Sequence, residues 1–167
     1  MKQLKNTNHM ILKGAWLTLL LTGIDQLTKY LAWQYLRPRR TVQLIPGVLD
    51  LFYLENRGAA FGILQNRQWI FILFSICMAA GCVWYARRLP KTPRMLPMRV
   101  CLFVLLSGAV GNMIDRVLHG YVIDFIYISL IRFPVFNAAD IYVSVSVTVL
   151  VLLVLFFYRE EDYDTGK

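Results

Sequence analysis

The chain has 167 residues, 57% of them hydrophobic and 17% charged, with a formal net charge of +8. So large an apolar excess excludes an ordinary soluble domain. Four apolar stretches of bilayer-crossing length account for about half of the chain, which leaves room for a single membrane domain over residues 1–167 and for no separate soluble one.

The first stretch, approximately 11–35, follows a basic start at Lys2 and Lys5 and could open a signal peptide. It runs on to Asp25, Gln26 and Lys29 with no small-residue cleavage pattern ahead of them, so it is read as a retained helix. Arg37-Pro38-Arg39-Arg40 breaks it. Two apolar-rich runs, 41–45 and 48–54, flank Pro46-Gly47 and predict a β-hairpin. Open strand edges do not survive in hydrocarbon, so the hairpin should rest at the interface, with Leu51, Phe52, Tyr53 and Leu54 dipping among the headgroups. The whole interfacial β segment is placed at approximately 41–62, its last part a small-residue loop from Gly58 to Gly62.

The second span, approximately 69–86, has no ionisable residue, and Trp69 and Trp84-Tyr85 bracket it as interfacial anchors. Pro90, Pro93 and Pro97 stiffen a basic connector. Its Arg and Lys density places it, and with it both termini, on the cytoplasmic side by the positive-inside rule. The same dispersal of basic residues among the loops argues against a nucleic-acid partner. The third span, approximately 98–117, carries Ser107 and Gly111, a spacing of small residues that lets another helix approach closely. A connecting segment over 118–136 contains Asp124, and the fourth span, approximately 138–158, opens with Asn137-Ala-Ala-Asp140. Cys77, Cys82 and Cys101 lie inside apolar spans and read as small buried side chains. His9 and His119 are isolated, so neither a metal nor another cofactor is expected.

Ionisable groups in or beside a span need a partner or a task. Asp25 and Lys29, at i and i+4, suit an ion pair or a supporting role. Asn112, Asp115 and Arg116 read either as a buried polar network or as an arginine fork for backbone carbonyls, with Asp115 orienting it. Asp124 and Asp140 have no evident basic neighbour within a helical turn. Two carboxyl groups held close cannot easily both ionise, so one retains a proton near neutral pH. Such a dyad can activate water and protonate a carbonyl. Proton-relay and purely structural acids remain open on spacing alone.

Five blocks occur in order: Asp25-Gln-Leu-Thr-Lys29, Asn56-Arg-Gly-Ala-Ala-Phe61, Gly108-Ala-Val-Gly-Asn112-Met-Ile-Asp-Arg116, Val122-Ile-Asp-Phe125 and Phe136-Asn-Ala-Ala-Asp140. In this order they resemble lipoprotein signal peptidase, the bacterial signal peptidase II. The resemblance implies an all-α integral membrane enzyme with four transmembrane helices and a small extracytoplasmic β-hairpin or sheet between helices 1 and 2. It implies an aspartic endopeptidase of the bacterial cytoplasmic membrane that cuts prolipoprotein signal peptides just before a diacylglyceryl-modified cysteine. Both termini would be cytoplasmic and the active site extracytoplasmic, with membrane lipid as surroundings and the cyclic peptide globomycin as an inhibitor. Carried over by motif, Asp124 and Asp140 are the catalytic pair. Asn56, Gly108, Asn112, Arg116 and Asn137 bind substrate or support the dyad, and Asp25, Lys29 and Asp115 lie nearer to structural support.

Two other readings fit the sequence less well. A small proton-coupled transporter would place its acids near mid-bilayer and often repeat its halves, whereas these acids cluster at one end and the halves differ. A structural subunit with a polar helix interface would leave Asp124 and Asp140 without a reason.

Overall fold

The computed structural model describes residues 2–58, 65 and 67–163, with side chains from residue 10 onwards. Helix α1 (Lys2–Leu31) continues into a widened turn, Ala32–Leu36. The hairpin strands β1 (Thr41–Ile45) and β2 (Leu49–Asn56) follow, then α2 (Gln68–Arg88) and α3 (Leu96–His119). Strand β3 (Val122–Tyr127) leads to α4 (Ala138–Leu152), which ends in a second widened turn, Leu153–Phe157, before the short α5 (Glu160–Tyr163).

The four expected helices are present. By length and composition, Gln68–Arg88, Pro93–His119 and Ala138–Phe157 are apolar enough to cross a membrane. The first helix is as long but is diluted by Lys13, Asp25, Gln26 and Lys29. Its outward residues, including Leu12, Trp16, Leu19 and Leu27, are nevertheless apolar and exposed, as a surface against lipid requires. Helix α1 also starts earlier than the apolar run, at Lys2, and no Gly or Pro over 2–10 interrupts it. Trp69 and Trp84 project outward near the two ends of α2, consistent with interfacial anchors. Of the cysteines only Cys82 is buried; Cys77 faces out from α2, contrary to the expectation of three buried thiols.

Helix α3 is the centre of the bundle and packs against α1, α2 and α4. Small residues make this possible. Thr22 Oγ1 of α1 donates to Ser107 O at 3.3 Å, and Gly111 faces Asp25 on one side and Ala139 on the other. At Gly108 a Cβ would stand 2.5 Å from Ala139 O and 2.8 Å from Val143 Cγ2. Both expected small residues therefore lie at helix contacts, and Gly108 adds a third, against the backbone of α4.

The sheet has order β1-β2-β3, all antiparallel, with Thr41 opposite Phe52 and Asn56 opposite Val122. The third strand comes from the segment expected to be only a connection. Gly120, at φ 73° just past α3, turns the chain sharply enough for β3 to run back along β2. The run Leu51–Leu54 does not simply face headgroups. Tyr53 is buried and Leu51 half-buried in a cluster with Ala32, Leu36, Ile123 and Phe125, so this face of the sheet caps the end of α1. Of the small-residue loop, only Gly58 falls within the described residues.

Replacing Gly108 by Ala should push the first turn of α4 off α3 and destabilise the bundle by about 1–3 kcal/mol, as overpacking does. Thermal unfolding in detergent is the measurement; an unchanged midpoint would show that α4 can give way freely.

Candidate active site

The site is assembled where α3, β3 and the start of α4 meet. Phe136 pairs with β3, donating to Ile126 O at 3.0 Å and accepting from Phe125 N and Ile126 N at 3.0 and 2.8 Å. That return pairing carries Asn137 back beside Asp124. Asn137 then caps α4: its Oδ1 accepts from Asp140 N at 3.0 Å, while Asp140 Oδ2 accepts from Asn137 N at 3.1 Å. This reciprocal cap explains why an Asn and an Asp stand three residues apart at a helix start. It also fixes the Asp140 carboxylate at a helix N-terminus, where the backbone dipoles favour negative charge.

Asp124 is 2% exposed, and both of its oxygens are engaged. Oδ1 accepts from Asn137 Nδ2 at 2.7 Å and Oδ2 from Asn56 Nδ2 at 2.8 Å. Gly58 N donates to Asn56 Oδ1 at 3.0 Å, which turns the amide so that its NH2 faces Asp124. Asp140 Oδ1 accepts from Asn112 Nδ2 at 2.8 Å. Asn137 thus touches both carboxylates, and its Nδ2 also donates to Asn112 Oδ1 at 3.1 Å. Among the described residues neither Asp124 nor Asp140 forms an ion pair. Burial pushes the Asp124 carboxyl up to about 7, the charge of Asp140 adds to the rise, and the amide donors of Asn56 and Asn137 oppose it.

Behind this layer lies a fully buried ionic one. Lys29 Nζ lies 2.9 Å from Asp25 Oδ2, 3.0 Å from Asp115 Oδ2 and 2.9 Å from Asn112 Oδ1. Each acid also holds a backbone N–H: Asp25 Oδ1 accepts from Ala139 N at 2.9 Å, and Asp115 Oδ2 from Ile123 N at 3.2 Å. Those amides immediately precede Asp140 and Asp124. Asp115 therefore serves Lys29 and β3; it does not orient Arg116, as its place in the sequence had suggested. Gln26, which the sequence reading passed over, donates to Asp115 Oδ1 at 2.9 Å and to Gly111 O at 3.2 Å. Its signal was available, since an amide in an apolar run one residue from Asp25 also needs partners.

In front of the carboxylates is a cleft of about 1110 Å³. Asn56, Gly108, Asn112 and Arg116 line it together with both acids. Arg116 lies over the Phe71 ring at 4.7 Å and gives one bond to Asn112 O, but its buried Nε has no hydrogen-bond partner among the described residues. Further walls come from α2 (Phe71, Phe74, Met78) and α4 (Ile141, Ser144, Val145), both of which pack on α3.

A family model described as Signal peptidase (SPase) II matches residues 17–156, which takes in every residue of this constellation. The chain belongs to the signal peptidase II family. It is 37% identical over 145 residues to the lipoprotein signal peptidases of Streptococcus pyogenes serotype M5 (strain Manfredo) and serotype M18 (strain MGAS8232), covering 87% of this chain and 92% of each relative. It also superimposes with a TM-score of 0.74 at 29% identity on a bacterial membrane enzyme determined by the in meso method at 2.3 Å, covering 93% of this chain and 92% of that one. A second structure of that description, at 1.9 Å, gives the same TM-score over 87% of this chain. The resemblance seen in the five motif blocks is borne out. The protein is an aspartic peptidase of this family and a multi-pass bacterial membrane protein, with four long helices and a small antiparallel sheet.

Lys29→Met should leave Asp25 and Asp115 uncompensated and cost about 3–5 kcal/mol of stability, as breaking a buried ion pair does. Adding Asp25→Asn and Asp115→Asn should recover much of the loss, because Asn still accepts from Ala139 N and Ile123 N. Folded yield and thermal midpoint in detergent report both outcomes; a harmless Lys29→Met would contradict this account.

Proposed function

We propose that Asp124 and Asp140 form the catalytic dyad of a single membrane-embedded peptidase domain, which removes signal peptides from diacylglyceryl-modified prolipoproteins by cutting just before the lipidated cysteine. The reading rests on one observation above the others: two acids from separate segments meet around Asn137, beside a cleft lined by residues of α2, α3 and α4. Phe74 and Val145 lie on that cleft and are also widely exposed, so its lower end continues into the lipid-facing surface. A signal helix carrying acyl chains can approach by that route without leaving the bilayer.

The chemistry is that of water attack on an amide. Asp140, held at the helix N-terminus, takes a proton from a water molecule as its oxygen bonds to the scissile carbonyl carbon. Asp124, pushed up to about 7, keeps its proton in a substantial fraction of molecules near neutral pH and donates it to the carbonyl oxygen. The resulting gem-diol collapses, the C–N bond breaks, and the leaving nitrogen is protonated by the dyad. One water is consumed, giving a carboxylate on the signal peptide and an amine on the lipidated cysteine. The Arg116 guanidinium, on the cleft wall, would donate to a backbone carbonyl of the substrate, and Asn56, Asn112 and Asn137 hold the acids in place. Globomycin would compete for the same cleft.

Asp124→Asn and Asp140→Asn should each lower precursor cleavage by at least about 100-fold while the protein stays folded, since each removes one half of the proton transfer. Full processing of a lipidated precursor by either variant would refute the dyad. The sign of the pH dependence follows from Asp124: its proton is present below about 7 and lost above it. The native enzyme should therefore lose kcat/KM as pH rises through that value, an apparent limit that belongs to the pair.

The topology follows from charge. Arg87 and Arg88 end α2, Lys91 and Arg94 lie in the α2–α3 connector and Arg99 stands in the first turn of α3, so that end of the bundle and both termini are cytoplasmic and the sheet and dyad face outward. A reporter fused within residues 87–99 should signal a cytoplasmic position; an external one would invert the orientation.

A further inference from the structure

We propose that one end of the sheet is a membrane-inserting tip, in which the β1–β2 turn and the segment following β3 enter the lipid leaflet together. Leu44, Ile45 and Val48 are exposed around the hairpin turn, and Leu130, Ile131 and Phe133 are exposed just beyond β3. Leu130 and Ile131 are 66% and 64% exposed, an unfavourable arrangement for two large aliphatic side chains in water.

The two groups form one surface. Asp50 pairs with Tyr127, which brings the end of β3 beside the hairpin turn, and Leu130 N donates to Val48 O at 3.4 Å. The shape is held rather than loose. Ser129–Ile131 form a tight helical turn, and Arg132, at φ 49°, reverses the chain while its N–H donates to Ser129 O at 3.2 Å. Phe133 N closes the reversal on Ile128 O at 3.2 Å. The outcome is a hydrogen-bonded projection on which Leu130 and Ile131 are widely exposed.

Lipid is the occupant that the surroundings favour. Exposed Tyr30, Trp33 and Tyr35 mark the last turns of α1 and exposed Trp69 the first turn of α2, a belt that sets the level of the headgroups beside the sheet. The apolar tip thereby continues the lipid-facing surface of the bundle. Arg132, exposed within the tip segment itself, supplies positive charge for lipid phosphates, and exposed Arg37, Arg39 and Arg40 follow the aromatic residues at the end of α1. Arg132 and Phe133 also line the cleft, so insertion would hold the cleft mouth against the leaflet. That last consequence rests on the peptidase reading; insertion itself does not.

The test uses the full-length protein with Cys77, Cys82 and Cys101 changed to Ala and a single new cysteine, Ile131→Cys or Ile45→Cys, carrying an environment-sensitive fluorophore. Gel filtration selects folded protein, which is reconstituted into phosphatidylglycerol/phosphatidylethanolamine vesicles. At both positions the label should be shielded from aqueous iodide at least threefold relative to free dye, and quenched by lipids bearing a nitroxide near the headgroup. Iodide access equal to that of free dye would overturn the proposal. So would shielding that nitroxide lipids do not affect, because another protein surface would then be covering the tip.

Discussion

Lys29 carries its ammonium into a place where only 2% of the residue is exposed, and the site is arranged around that one charge. A lone cation in such surroundings would be driven to neutralise or to unfold its host. Asp25 and Asp115 answer it from α1 and α3, and Asn112 gives it a third oxygen. The pairing has a geometric yield beyond charge balance. Asp25 uses its other oxygen on Ala139 N, and Asp115 reaches Ile123 N, so the neighbours of Asp140 and Asp124 are both tethered to the same ion. Four chain segments are thereby located relative to one atom.

The amides in front of this core translate it into the placement of the proposed dyad. Asn112 accepts from Lys29 and from Asn137 through one oxygen, which commits its NH2 to Asp140. Asn137 uses its backbone and side chain on different carboxylates, and Asn56 is aimed from the sheet. Each amide is fixed by an acceptor on one side and a donor on the other, so none is free to flip. Gly108 and Gly111 matter for the same reason: the closeness of α3 to α1 and α4 lets short Asn and Asp side chains span the gaps.

Much of this is legible in the sequence. Spans read from hydropathy match four helices, and Pro46-Gly47 marked a real hairpin, because both signals are local. The third strand was missed. Val122–Tyr127 is a short apolar run whose pairing partner lies some seventy positions earlier, and only the turn at Gly120 brings the two together. Tyr53 and Leu51 were assigned to headgroups because alternation tells that a strand has two faces without telling which one α1 will cover. Asp115 was attached to Arg116 by adjacency, although successive residues on a helix point to different neighbours. The tip at Leu130 and Ile131 left no periodic signal at all.

The sequence by itself determined the membrane class, the helix count, the family and the identity of the acids that needed an explanation. Those properties depend on composition, run length and residue type, which survive without knowledge of contacts. Only the tertiary structure decided that Asp124 and Asp140 share Asn137, that Lys29 joins α1 to α3, and that Arg116 lies over Phe71 on the cleft wall. A hydrogen bond between distant segments is set by how closely backbones can approach. That distance is fixed jointly by Gly108, Gly111 and the strand pairing around them, and by none of these residues alone.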